Sequence, residues 1–311
     1  MEYIKSEDKD LKLPFETAVA IGNFDGVHIA HQRLIRRMVD FAKNSHMKSL
    51  ILTFRPHTAH LFDRFKSPHL IMSYEEKIEE ISKLGVDILV EQRFDEGFAS
   101  LSTQDFLYKY LGGLGARAIF VGFDFSFSRN KSANQEDLRE FGRRTGTFIE
   151  VMDLQTLNGM RISSTKIRNL LQEGNIEIAN QLLGRRYYIC QEVVRGKMIG
   201  STIGVATANI SLRDRLLPRE GVYLTITEVE GSKLKSISNI GKTSHNQNVT
   251  MLETHIFDFN GELYGKKIKV EFLRFIRPEL RFGSIEELRE AIERDIQTAH
   301  RLFRELDENN Q

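Results

Sequence analysis

The sequence predicts an α/β domain on a mostly parallel sheet, followed by a small antiparallel β-barrel with a closing helix. Three observations carry that expectation. From about Thr17 to Leu183, short apolar runs alternate with stretches of helical period, the pattern of strands joined by crossover helices. After Leu183 the apolar runs are broken by glycine and turn residues, with little helical pattern until Ser284, which is the texture of a barrel. From Ser284 apolar residues return at helical spacing.

In the first part, Thr17–Ile21, Ser49–Phe54, Ile88–Gln92, Ala118–Val121 and Phe148–Met152 read as strands. Between them, Gln32–Ala42, Tyr74–Leu84, Thr103–Tyr110 and Asn134–Thr145 read as helices. An open parallel sheet takes its ligand at the carboxyl ends of its strands. His28, His57 and Asp124 all come directly after proposed strands. In the second part, Gln191–Arg195, Gly221–Val229 and Lys266–Phe272 read as strands. Ser284-Ile285-Glu286-Glu287 is a capping-box pattern opening a helix that carries Leu288, Ile292 and Ile296. There is no internal repeat and no low-complexity linker. The change of texture places the domains at 1–183 and 184–311, with a short joint near Gly184-Arg185-Arg186.

At 311 residues the chain has the length of two ordinary domains. Hydrophobic residues at 41% and charged ones at 28% describe a globular protein. A formal net charge of +1 supplies no general attraction to nucleic acid or to an anionic membrane, and neither is expected as a partner. Arg33, Arg36 and Arg37 cluster on a helix that also carries core residues, so they read as a solvated face. Cys190 is the only cysteine, which excludes an intramolecular disulfide and a thiolate metal cage. It stands at a strand entry and reads as a buried, inert thiol. The N-terminal residues lack the apolar core of a signal peptide, and no apolar run approaches the ~20 residues that span a bilayer. The expected location is cytoplasmic.

The chemistry concentrates in Gly22-Asn23-Phe24-Asp25-Gly26-Val27-His28-Ile29-Ala30-His31. A strand precedes this segment and a helix follows it, so backbone N–H groups at the helix start face an anion. The two histidines lie one helical turn apart and can address one ligand. The segment carries neither G-x-x-x-x-G-K-[ST] nor G-x-G-x-x-G. Two histidines at a helix start suit nucleotidyl transfer, in which positioned donors meet the charge that builds on phosphoryl oxygens. A histidine can also merely cap the helix or pack in the core. A second segment, Arg161-Ile162-Ser163-Ser164-Thr165-Lys166-Ile167-Arg168, leads into another helical pattern. Ser163 or Ser164 is a suitable N-cap, and the hydroxyls and free amides there can hold a triphosphate.

These two segments resemble the nucleotidyltransferases marked by H-x-G-H and a later S-S-T-x-x-R. Specifically, they look like the prokaryotic bifunctional riboflavin kinase/FAD synthetases, and the resemblance runs over nearly the whole chain. Leu52-Thr53-Phe54-Arg55-Pro56-His57 is similar to that family's T-F-x-P-H, and Val121–Phe127 to its V-G-x-D-F-x-F. Asn180–Arg185 is similar to its interdomain junction, Gly204–Asn209 to the kinase G-F-P-T-A-N, and Leu252–Phe259 to the segment bearing the kinase glutamate. The resemblance implies an α/β nucleotidyltransferase domain, Rossmann-like with a parallel sheet, ahead of a riboflavin-kinase-like barrel. It implies that His28 and His31 contact the ATP phosphates, with Gly22, Asn23 and Phe24 beside them. Asp124 would orient the nucleotide, and Arg161, Ser163, Ser164, Thr165 and Arg168 would bind it. Pro56, His57 and Phe62 would lie near the flavin. Phe127 either stacks on the isoalloxazine or is plain core. In the second half Glu253 would take the substrate hydroxyl proton, while Thr207 and Asn209 would contact Mg²⁺. ATP with Mg²⁺, FMN and riboflavin are the implied small-molecule substrates and FAD the product.

The chain departs from the family pattern at several positions. Ala30 stands where the family has glycine, and Arg55 and Thr58 differ from T-F-E-P-H-P. Ser126–Lys131 lacks the usual glycines. In the kinase half Met198 and Ile199 replace basic or polar residues, Val205-Ala206 replaces Phe-Pro, and Asn239–His245 lacks R-P-T-F. Three readings follow: an FMN adenylyltransferase whose riboflavin kinase is weak or lost, a fully bifunctional enzyme, and a flavin-binding regulatory protein.

Overall fold

The computed structural model describes residues 1–62, 69–127, 134–194, 207–212, 215–243 and 246–308; the side chains of Phe62, Thr243 and residues 246–249 are outside that description. The chain divides into two compact units, Met1–Ser164 and Thr165–Gln311.

The first unit is built on strands β1 (Glu2–Ser6), β2 (Thr17–Ile21), β3 (Lys48–Arg55), β4 (Ile88–Arg93), β5 (Ala116–Gly122) and β6 (Phe148–Met152). They form one sheet in the order β1-β4-β3-β2-β5-β6, with every pair parallel. The five strands expected from the sequence all form, with ends within two residues. Strand β1 is additional: Glu2-Tyr3-Ile4-Lys5-Ser6 is short and charged, and only its pairing with β4 makes it a strand. The chain runs from β2 outward to β3 and β4, then returns to the other side of β2 as β5 and β6. The strand order therefore reverses at β2, where ligands of open α/β sheets bind.

Residues alternate between the two faces of the sheet. Ala18, Ala20, Ile51, Leu89, Ala118 and Phe120 pack against Leu34, Ile35 and Met38 of α1 (Ile29–Asn44). The same face holds Ile81 of α3 (Tyr74–Ser82), which follows the short α2 (Ala59–Phe62). The alanines on this face let α1 lie close to β2 and β5. Ile35 and Met38 are fully buried, and each contributes about 1.5–3 kcal/mol of hydrophobic stabilisation. On the opposite face Val19, Leu50, Leu52, Val90, Ile119 and Val121 pack against Phe98, Phe106 and Tyr110. Phe98 lies in α4 (Glu96–Ala99), and the other two lie in Asp105–Leu111. That last segment is a π-helix, whereas the sequence pattern anticipated an ordinary one. The wider turn brings Phe106, Leu107, Tyr110 and Leu111 together on the buried side. Helix α5 (Gln135–Thr145) buries Leu138 and Phe141 behind a capping box from Asn134. A two-stranded ribbon, β7 (Thr156–Leu157) with β8 (Met160–Arg161), turns at left-handed Asn158 and Gly159 and leads to Ser164.

The second unit opens with α6 (Ser164–Glu173, from its second residue) and α7 (Ile176–Leu183). Asn180 of α7 donates Nδ2 to the Phe272 carbonyl at 2.9 Å and accepts from the Tyr187 N–H at 2.6 Å. Strands β9 (Tyr187–Glu192), β10 (Ala208–Ser211), β11 (Gly221–Val229), β12 (Ser232–Thr243), β13 (Asn246–Ile256) and β14 (Lys267–Pro278) follow. They form an antiparallel sheet in the order β10-β13-β12-β11-β14-β9. A bridge from the Val194 N–H to the Asn209 carbonyl, 2.8 Å, ties the β9 edge to the β10 edge and closes the barrel. Strand β9 begins four residues before the expected Gln191, because Tyr187, Tyr188 and Ile189 supply its buried positions. Cys190 is half-buried, not fully enclosed.

Helix α8 (Ile285–Glu308) closes the sheet. Its start is a variant of the expected capping box. Ser284 accepts from the Glu287 N–H at 3.1 Å, while the Glu287 carboxylate accepts from Gly283, one residue earlier than the motif implies. Its fully buried stripe is Ala291, Asp295, Ala299 and Leu302 with Phe303, and Ile296 packs half-buried against the same cluster. Small residues on that stripe let the helix lie on the sheet, and Asp295 is admitted because Arg277 meets both its oxygens at 2.8 and 2.6 Å.

Candidate active site

The turn that leaves β2 carries the first cluster. Phe24 and Val27 have left-handed backbones at φ 50° and 38°, and Gly26 at 82°. Such a turn needs ties, since non-glycine residues at positive φ are disfavoured. Several are present. Both Asp25 carboxylate oxygens accept from the Ile71 N–H at 3.1 and 3.2 Å, and Gln32 donates to the Val27 carbonyl at 2.9 Å. Phe24 is buried and packs edge-on to His31 at 5.3 Å. Its ring covers Gly22, where an added Cβ would stand 3.2 Å from it.

His28 is the N-cap of α1, with Nδ1 accepting from the His31 N–H at 3.3 Å. The two imidazoles stack at 3.5 Å between centroids, 15° from parallel. His28 is thus both a cap and a member of a paired-imidazole surface at the start of a helix, whose first N–H groups favour an anion. His28 is 4% exposed.

Asn23 joins this turn to the loop after β3. Its Nδ2 donates to the Thr58 hydroxyl at 2.9 Å, and its Oδ1 accepts from the Thr58 N–H at 3.2 Å. A proline at position 58 has no N–H and would lose the second bond. Pro56 and His57 are held in the same loop, where the His57 N–H donates to the Tyr74 hydroxyl at 3.0 Å. The departure at Arg55 is accommodated nearby. Its guanidinium lies 4.3 Å from the centroid of the Tyr74 ring and 3.8 and 3.7 Å from Glu75 and Glu91. Phe62 and the loop 128–131 lie outside the described side chains and residues.

The second motif reaches the first. The Ser164 hydroxyl donates to the Asp25 carbonyl at 2.8 Å. Ser164 is the first residue of α6, so Ser163 takes the N-cap position. Thr165 is exposed in the first turn of α6, and Arg168 is half-buried in the next. Asp124, just past β5, pairs with Arg161 at 3.7 Å, bringing two expected nucleotide residues together. Phe127 is buried, stacked on Phe106 at 3.6 Å and edge-on to Phe98. Of its two readings the structure places it in the core. The basic cluster is partly paired on the surface: Arg33 meets Gln155 and Arg37 meets Glu150.

Lys77 is a residue the sequence reading missed. It is 5% exposed, and its ammonium donates to the Thr53 hydroxyl at 2.9 Å and the Asn23 carbonyl at 3.3 Å. Burial pushes it down to about 8, against the charges of Glu91 and Asp25, which hold it up. The available signal was a lysine on the buried face of a helix, four residues before Ile81.

In the second unit Glu253 of β13 stands between Asn209 of β10 and Asn239 of β12, in register with both. Asn209 is buried and donates Nδ2 to the Thr207 carbonyl at 3.3 Å. Glu279 was also missed. Burial, then the neighbouring carboxylates Glu220 and Glu253, raise its pKa. Its carboxylate occupies the space that a side chain at Gly241 would fill. The segment 195–206, with the departures at Met198, Ile199, Val205 and Ala206, lies outside the described residues.

Two family models match the chain: FAD synthetase over residues 11–166 and riboflavin kinase over 183–303. The bifunctional riboflavin kinase/FMN adenylyltransferase of Bacillus subtilis is 37% identical over 94% of both chains. The chain belongs to that family. The namesake protein of Escherichia coli K12 is 34% identical over 92% of each chain, and that of Listeria monocytogenes 35% over 93%. A crystal structure described as a macrolide-efflux protein from Streptococcus pneumoniae is 29% identical and matches with TM-score 0.86, over 96% of this chain and 99% of that one. Among the described residues no helix is long and apolar enough to cross a membrane. As a family member the protein is an FMN adenylyltransferase, with FMN and ATP as substrates and FAD as product.

Proposed function

We propose that this riboflavin kinase/FMN adenylyltransferase homologue transfers AMP from ATP to FMN efficiently and phosphorylates riboflavin far more slowly. The first half of that reading rests on the Ser164–Asp25 bond, which supports a single site formed by the histidine turn and the serine motif. An oxygen of the FMN phosphate attacks the α-phosphorus, and the bond to pyrophosphate breaks. His28 and His31 donate to the phosphoryl oxygens as charge builds there. Ser163 holds the triphosphate, Asp124 with Arg161 orients the nucleotide, and Pro56 and His57 border the flavin.

The second half rests on the chain's own residues at 195–206. Phosphoryl transfer depends on positioning the γ-phosphate in line with the nucleophile. Met198, Ile199 and Ala206 lack the charge and the stiff turn which that task needs. Mg²⁺ accompanies ATP and prefers hard oxygen donors while keeping water and phosphate in its shell. The Thr207 hydroxyl and the Asn209 amide oxygen fit it, since Asn209 directs Nδ2 to the Thr207 carbonyl. When bound, the ion neutralises charge on the transferring phosphoryl group. A bifunctional enzyme with matched rates is the second reading, favoured by the intact Asn209–Glu253–Asn239 register. The single cysteine and the ATP requirement support a cytoplasmic location.

The test incubates purified protein with Mg-ATP and either FMN or riboflavin and resolves the products. FAD should form readily from FMN, and FMN slowly from riboflavin, the latter lost in Glu253→Ala. Basic residues placed at 198, 199 and 201, with Val205→Phe and Ala206→Pro, should raise kinase turnover. Rapid riboflavin phosphorylation by the unmodified chain selects the second reading.

A further inference from the structure

We infer that Lys77 is a positioning residue for adenylyl transfer, holding the histidine turn through the carbonyl of Asn23. The inference rests on FMN adenylylation taking place at that turn. Lys77 projects from α3 beneath the turn and donates, among the described residues, to two neutral oxygens, the Asn23 carbonyl and the Thr53 hydroxyl. The described residues place no carboxylate within 4.0 Å of its ammonium, the limit for an ion pair. A charged amine so placed is costly to bury, and an apolar residue of the same length would pack there at lower cost.

What the amine does can be traced along bonds. The carbonyl it holds belongs to the residue whose side chain clamps Thr58. The next residue is Phe24, where the backbone turns left-handed before presenting His28. Lys77 therefore anchors the point from which both the histidines and the Pro56-His57 loop are aimed. It borders a cavity shared with Asn23, Asp25, His57 and Tyr74. That cavity measures about 10 Å³, room for roughly one water. Lys77 is buried and its ammonium is directed to the Asn23 carbonyl and the Thr53 hydroxyl, so it acts through the turn.

The charge on Lys77 matters as well as its hydrogen bonds. The groups facing Lys77 are Asp25 from the turn, Thr53 and Arg55 from β3, Glu91 from β4, His57 across the cavity and Tyr74 from its own helix. Burial raises the Tyr74 phenol, which takes it further above the range in which Lys77 titrates. A charged donor binds a carbonyl about twice as strongly as a neutral one. The hold on Asn23 is therefore strongest below pH ~8 and weakens above it.

The experiment measures FAD formation from FMN and Mg-ATP for wild type, Lys77→Met and Lys77→Arg between pH 7 and 9.5. Thermal melting of each protein is recorded alongside. Lys77→Met is expected to lower kcat by ~10²-fold, the scale of a small misplacement of reacting groups, with KM for ATP and FMN nearly unchanged. Wild-type kcat should fall several-fold above pH ~8, and Lys77→Arg, which stays charged, should remove that fall while retaining most of the activity. If Lys77→Met does not fold, the wild-type and Lys77→Arg profiles decide alone. Unchanged kcat in folded Lys77→Met, or the same alkaline fall in Lys77→Arg, overturns the role of Lys77. Absence of FAD formation by wild type overturns the activity itself, a distinct result.

Discussion

The hydroxyl of Ser164 donates to the carbonyl oxygen of Asp25 at 2.8 Å, joining residues 139 apart in the chain. The bond couples the end of the segment that follows β8 to the turn after β2. A neutral hydrogen bond of this kind contributes about 1 kcal/mol net. Its larger consequence is positional, because Asp25 is also fixed through its carboxylate by Ile71. Ser164→Ala should cost about 1 kcal/mol in urea unfolding and lower the kcat of FAD formation, whereas Ser164→Thr should keep most of both. Equal activity in Ser164→Ala would show that the two segments need no tie.

His28 has two roles that substitution can separate. As an N-cap it accepts the His31 N–H, and its replacement by alanine should cost about 1 kcal/mol. Asparagine caps equally well. His28→Asn is therefore expected to melt like wild type while forming FAD ~10²-fold more slowly, the scale of losing a transition-state donor. Wild-type turnover in His28→Asn and in His31→Ala would move the chemistry elsewhere.

Phe127 is a core residue in this fold. Phe127→Ala removes a buried ring stacked on Phe106 and should destabilise the first unit by about 3–5 kcal/mol. Chemical unfolding gives that number directly. The variant that remains folded should show little change in KM for FMN; a large rise with normal stability would return Phe127 to the flavin.

Lys77 also leaves a mark on stability. Its pKa falls from 10.5 to about 8 on folding. Between those values the unfolded chain holds more protons than the folded one, so stability rises with pH across that window. The difference in unfolding free energy, wild type minus Lys77→Met, should increase by about 3 kcal/mol from pH 7 to pH 10.5. Urea midpoints at the two pH values check it. A difference that is flat with pH would mean that folding leaves the lysine's titration unchanged.

Much of the protein is determined by local pattern. The runs at Thr17–Ile21 and Phe148–Met152 become strands with those same ends, since apolar residues bounded by turn and helix signals have one compatible structure. His28 and His31 meet because three residues make about one helical turn. Tertiary structure decided what depends on partners far away in the chain. Strand β1 exists through β4, and Phe127 is buried because the π-helix supplies Phe106. Thr58 supplies the N–H that Asn23 binds, a gain invisible when position 58 is compared with a motif. Lys77 is buried because α3 packs beneath the turn, where its ammonium meets the Asn23 carbonyl and the Thr53 hydroxyl. Spacing along a chain fixes which side chains share a face, whereas the register of the sheet and the seating of each helix fix what that face meets.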